Sequence, residues 1–191
     1  MSDKSVVSIE DVELATRRWL ENLVIGLNLC PFAKSVYVKN QVRIVVYTGL
    51  LEDLLAFLQQ ELLLLQNTPA EQLDTTLVVL PELLQDYYQF NDFLNFTDDL
   101  LVQLDLEGEM QIADFHPDYQ FAGTVPNDMS NYTNRTPYPT LHLLRESSID
   151  RAVAQYPEAE AIFSRNIERM QQLGYQAWQE LMQKPGNLTG K

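Results

Sequence analysis

Both histidines of the chain, His116 and His142, fall within one stretch running from Gln111 to Glu146. Arg135 and Arg145 lie in the same stretch, and no other Lys or Arg occurs between Ile44 and Leu144. Imidazoles move protons near neutral pH, and guanidinium forks hold carboxylates or phosphates. Cys30, the one cysteine, adds a candidate nucleophile, because a thiolate beside an imidazole is an activated group. Strand alternation would put Asp114 on the same face as His116, where a carboxylate can orient the ring or raise its pKa. The chemistry these types suggest is acid–base or nucleophilic catalysis by Cys30, His116, His142 and Asp114. Arg135, Arg145 and Tyr138 would hold a small anionic substrate.

Each residue also has a plainer reading. His116 stands before Pro117 and can open a turn while bonding to backbone. His142 sits among Leu141, Leu143 and Leu144 and can be a core histidine; on a strand it points away from Leu141, Leu143 and Arg145. At the carboxyl end of a helix Cys30 would be a poor thiolate, whereas capping a turn at Pro31 would lower its pKa. It can equally be a small buried hydrophobe. Arg145 can pair with Glu146. Tyr138, like Tyr119, Phe121 and Tyr132, either packs its loop or lines a pocket. Cys30, His116 and His142 lack the close-spaced ligand pair usual for zinc, so no metal is assigned. No glycine-rich phosphate cradle occurs, and no cofactor is specified. A long ordered loop such as the one after His116 is usually functional, and replacing His116 or Arg135 there should cost at most about 1 kcal/mol.

The composition narrows the class. With 191 residues, 46% hydrophobic and 21% charged, the chain is expected to form one domain over 1–191, frayed at about 1–7 and 184–191. The net charge is −14, and sixteen Asp and Glu lie between Ile44 and Asn134 with no basic residue among them. That surface repels phosphate backbones, so no nucleic-acid partner is expected. No apolar run approaches a membrane span and no signal-peptide core is present, which together with a lone cysteine predicts a cytoplasmic protein. The oligomeric state is left open.

These residues need a frame to hold them. Ser8 is placed to cap a helix carrying Val12, Thr16, Trp19, Leu23 and Leu27 at helical spacing up to Pro31. Val42–Tyr47, Thr75–Leu80 and Met110–Phe115 read as strands. A leucine helix from Leu54 to Leu65 separates the first two, and a helix carrying Phe90, Phe93, Thr97 and Leu101 separates the second and third. Strands alternating with such helices predict an α/β fold with a mainly parallel sheet. Thr140–Arg145 is favoured as a fourth strand over the start of a helix, with Ser147 and Asp150 as a capping box for the helix after it. A last helix is expected from Pro157, with Ile162, Phe163, Met170, Leu173, Ala177 and Leu181 facing inward. Ligands of a parallel sheet bind beyond the strands' carboxyl ends, where His116 falls.

Three blocks of this chain carry a resemblance: GLNLCPFAKS (26–35), ADFHPDYQFAG (113–123) and NRTPYPTLHLLRE (134–146). They resemble the signature blocks of a bacterial family known as domain of unknown function 1415. The resemblance spans nearly the whole chain. It implies a bacterial cytoplasmic protein and supplies no activity. Cys30, His116, Arg135, His142 and Arg145 all fall inside the blocks. The expectation is thus an enzyme acting on a small anionic substrate through a Cys/His/Arg pocket at the strand ends, with Cys30 meeting a histidine, His116 foremost. The alternative is a non-catalytic small-ligand binding or protein-interaction module.

Overall fold

The computed structural model describes residues 8–156 and 158–186. Pro157, the expected frayed end 1–7 and, of the expected frayed end 184–191, residues 187–191 lie outside the described residues. Among the described residues six α-helices surround one four-stranded sheet: α1 Ile9–Trp19, α2 Ala33–Val38, β1 Val42–Val46, α3 Leu54–Asn67, β2 Thr75–Val79, α4 Tyr87–Gln103, β3 Met110–Phe115, β4 Thr140–Arg145, α5 Glu146–Ala154 and α6 Ile162–Gln183. Ser8 caps α1 by accepting the Asp11 amide at 3.1 Å, and Asp86 does the same for α4 through Gln89 at 3.0 Å.

The sheet is mixed rather than mainly parallel. Its strand order is β1-β2-β4-β3: β1 and β2 pair parallel, while β4 pairs antiparallel with both β2 and β3. The three strands read first still run in one direction, but β4 lies between the second and third. The reason is the connection. The chain leaves β3 through a long loop without a crossover helix, and such a return pairs with the strand it left.

Both crossovers, β1–α3–β2 and β2–α4–β3, move the same way across the sheet, so right-handed connections put α3 and α4 on one face. There Leu54, Leu58, Leu62, Phe90 and Leu101 pack on Val78, Leu141 and Leu143. The other face carries Ile44, Leu77 and Val79 under Val12, Trp19, Leu20 and Leu23. With no reversal of the winding there is no crevice of the kind a doubly wound sheet offers at its carboxyl edge.

Two further expectations are corrected. The helix after β4 starts at Glu146 without a capping box: Arg145 is its cap residue, and Ser148 instead donates to Asp74 at 2.6 Å. In α6 Met170 is buried and Leu173 and Leu181 pack against the core as expected, but Phe163 is 57% exposed; Gly174 breaks this helix at φ 74°. No helix among the described residues is long and apolar enough to cross a membrane.

Candidate functional site

The sheet divides the residues singled out by the sequence. His116 follows β3 on the α4 side, fully buried between the rings of Tyr87 and Phe90, with centroids at 5.3 and 5.1 Å. Its Nδ1 accepts the Asp118 amide at 3.0 Å, so Nε2 carries the proton and donates to the Leu84 carbonyl at 3.1 Å. Burial pushes its pKa down. Both nitrogens are therefore committed to backbone, and the ring ties the loop after β3 to a turn in which Leu84 sits at φ 53°. Asp114 lies on the same side, but among the described residues no hydrogen bond joins it to His116, whose partners are Leu84 and Asp118. Burial raises its carboxyl pKa.

The arginines do not converge. Arg145 donates to the carbonyls of Leu65, Thr68 and Leu73, closing the carboxyl end of α3. Arg135 donates to the carbonyls of Tyr119 (3.2 Å) and Pro126 (2.7 Å) and lies 4.2 Å over the Tyr132 ring. It staples the long loop and borders an open groove with Tyr132, Tyr175 and Trp178. Tyr138 packs beside α1, where burial and the charge of Asp11 raise its phenol pKa.

Cys30 and His142 lie on the opposite face of the sheet from His116. Both line a cavity of about 280 Å³ over the sheet. Its floor is Thr75, Leu77, Ala113, Phe115, His142 and Leu144, and one wall is Trp19, Leu20, Val24 and Ile25. Strand parity sets this: His142 pairs with Leu77 and Ala113, and all three project to the α1 side. The wall exists because the chain widens after α1. Leu20–Ile25 is a π-helical segment, a wider turn frequent at functional sites. The roof is Cys30, Phe32, Ala33, Val36 and Tyr37. The cavity reaches the amino ends of β1 and β2, at Val42 and Thr75, and the carboxyl end of β3, at Phe115.

The electrostatics of this pair run opposite to expectation. The amides of Phe32 and Ala33 favour the Cys30 thiolate, but burial outweighs them and raises the thiol pKa. Burial also lowers the His142 pKa to about 4. The ring's Nε2 lies 2.6 Å from Thr75 Oγ1, which donates to the Leu143 carbonyl at 2.7 Å. At neutral pH the cavity therefore presents a thiol and an uncharged imidazole in largely apolar walls, to which Tyr37, Asp74 and Thr75 also contribute. Among the described residues no group of three or more His, Cys, Asp and Glu is arranged to hold a metal ion.

A family model described as "Protein of unknown function (DUF1415)" matches residues 11–180. The chain belongs to that family. Comparison with curated proteins and with solved structures gave no match. The DUF1415 match takes in every residue of the cavity, from Trp19 to Ile149, but its description assigns no reaction.

Sequence reasoning missed Thr75, Trp19 and Tyr37 as partners of the site. Thr75 touches His142 only because β4 inserts beside β2, and no local pattern announces that register. Parity alone was available, and it separates His142 from Leu141 and Leu143.

Proposed function

We propose that this protein binds a small, mainly apolar, uncharged molecule in the cavity between the sheet and the Cys30–Val38 roof. The cavity itself supports the reading: about 280 Å³ of largely apolar space whose lining includes one imidazole, one thiol and one carboxylate, that of Asp74. Apolar cavities of roughly 150 Å³ take benzene, so the volume suits a ligand of about ten to twelve heavy atoms. An anionic substrate is disfavoured there, because Arg135 and Arg145 are occupied with carbonyls elsewhere. A free thiol suits a reducing compartment, and we place the protein in the cytoplasm on that basis.

The test is thermal stabilisation and calorimetric binding by a series of small alcohols and arenes. A ligand held only by the folded state raises stability with its concentration. Ala113→Leu, which fills the floor, should abolish the effect while the protein stays folded. Absence of binding across the series, or binding unchanged in Ala113→Leu, would overturn the reading.

A catalytic reading is favoured by one observation, the presence of Cys30 and His142 in a single cavity. It requires the thiol proton to reach the ring, which is uphill when burial raises one pKa and lowers the other. The pH profile of iodoacetamide alkylation in wild type and His142→Ala decides between them. The binding reading expects a high thiol pKa in both; a depressed pKa lost in His142→Ala would establish the catalytic pair.

A further inference from the structure

We infer that the molecule bound in this cavity offers a hydrogen-bond donor, an alcohol, phenol or N–H group, to Nδ1 of His142. The inference rests on the binding reading and adds the ligand's class. It follows from where one proton must be.

Thr75 Oγ1 lies 2.7 Å from the Leu143 carbonyl and 2.6 Å from His142 Nε2. A carbonyl oxygen has no proton to give. If the hydroxyl proton pointed at Nε2, two bare oxygen acceptors would face each other at 2.7 Å, a repulsive contact. The hydroxyl therefore donates to Leu143, and its oxygen accepts from Nε2–H. The neutral ring, the form that burial enforces, has only one N–H. Nδ1 is then a bare acceptor.

Among the described residues Nδ1 has no hydrogen-bond partner, and the ring borders the cavity. Of the lining groups that carry a proton, the Tyr37 phenol donates to Glu21 at 2.6 Å, and among the described residues neither the Trp19 indole nor the Cys30 thiol makes a hydrogen bond to Nδ1. A ligand with an O–H or N–H satisfies this acceptor. An ether, ketone or carboxylate brings a second acceptor against it and is penalised, because sites built around one hydrogen bond reject analogues that cannot make it. Thr75 acts as a positioning residue: it fixes which nitrogen carries the proton without touching the ligand.

The experiment compares two isomers of identical composition, 4-propylphenol and 4-ethylanisole, by calorimetry at pH 7. The phenol is uncharged there and differs only in offering a proton. Wild type should bind it at least tenfold more tightly than the ether. Thr75→Val, which removes the fixing hydroxyl at nearly constant volume, and His142→Phe should each bring the ratio towards one. Nitrogen-15 NMR of the His142 ring gives a second readout independent of any variant: the proton should reside on Nε2. Equal affinity of the two isomers for wild type, or a proton on Nδ1, would overturn the inference and leave the binding reading standing. Failure of both isomers to bind would remove the binding reading, and the inference with it.

Discussion

His116 is buried and His142 half-buried, and desolvation lowers the pKa of both, yet they do opposite jobs. His116 spends both ring nitrogens on backbone and packs against two aromatic rings, so its loss leaves a cavity and strips two buried groups of their partners. His116→Ala should cost about 2–4 kcal/mol, measured by urea unfolding, well above the 1 kcal/mol expected of a loop residue. A variant within 1 kcal/mol of wild type would return His116 to the candidate catalytic set. His142 makes a different prediction. Its folded pKa, about 4, lies below the ordinary 6.5, so between those values the unfolded chain binds the extra proton. The stability conferred by a neutral His142 is thus complete above about pH 6.5 and lost as pH falls towards 4, to the extent of roughly 3 kcal/mol. His116 titrates in the same sense, whereas the raised carboxyl of Asp114 works in the opposite one. His142→Gln should therefore flatten, not abolish, the stability loss between pH 6.5 and 4; an unchanged slope would show that the ring is not buried in solution.

Among the elements, the π-helical segment decides whether the cavity exists. At Gly26, φ is an ordinary −62°, so a left-handed conformation is not what calls for glycine. Close approach is: an added Cβ would stand 2.4 Å from the Asn22 carbonyl oxygen and 2.9 Å from that of Glu21. Gly26→Ala should force the widened turn to move, with a loss of about 1–3 kcal/mol and altered Cys30 accessibility. Retention of wild-type stability and thiol reactivity would mean that the turn tolerates a side chain. This segment was not legible in the sequence, where Val12, Trp19, Leu23 and Leu27 read as one continuous helix. The strands were legible, because β-branched runs such as VRIVV and TTLVV are local signals, and Thr140–Arg145 is a strand as favoured. Which strand lies beside which was not. The insertion of β4 beside β2 depends on pairing between residues far apart in the chain, Thr75 with Leu144, 69 positions on, and it alone brings Thr75 to His142. The candidate site was legible in its residue types and not in its grouping: Cys30 and His142 share a cavity, while His116, Arg135 and Arg145 are held elsewhere by backbone carbonyls and amides that composition does not reveal.

For the whole molecule the dominant fact is charge. A net charge of −14, with sixteen carboxylates from Ile44 to Asn134 and no basic residue among them, gives the protein a field that repels anions at long range. Arg43–Glu61 at 2.9 Å and Arg165–Glu158 at 3.3 Å form ion pairs, but most carboxylates between Ile44 and Asn134 are exposed, so most of this charge is met by solvent. Two consequences follow from the same field and have opposite signs in salt. Self-repulsion strains the compact state, and since the Debye length contracts from about 30 Å at 0.01 M to about 8 Å at 0.15 M salt, stability should rise over that interval. Duplex DNA, itself a dense polyanion, should be excluded most strongly at low salt, the reverse of a protein that binds by releasing counterions. Melting temperature and DNA retention measured across that range in one buffer series test both. A melting temperature that falls with salt would mean that attractive pairs outweigh the repulsion. Retention on DNA that weakens steeply as salt rises would mean that a basic surface forms in solution despite the acidic middle of the chain. An uncharged apolar ligand is indifferent to this field, so its affinity should stay flat over the same series. A strong salt dependence of binding would point instead to a charged ligand and to the groove beside Arg135.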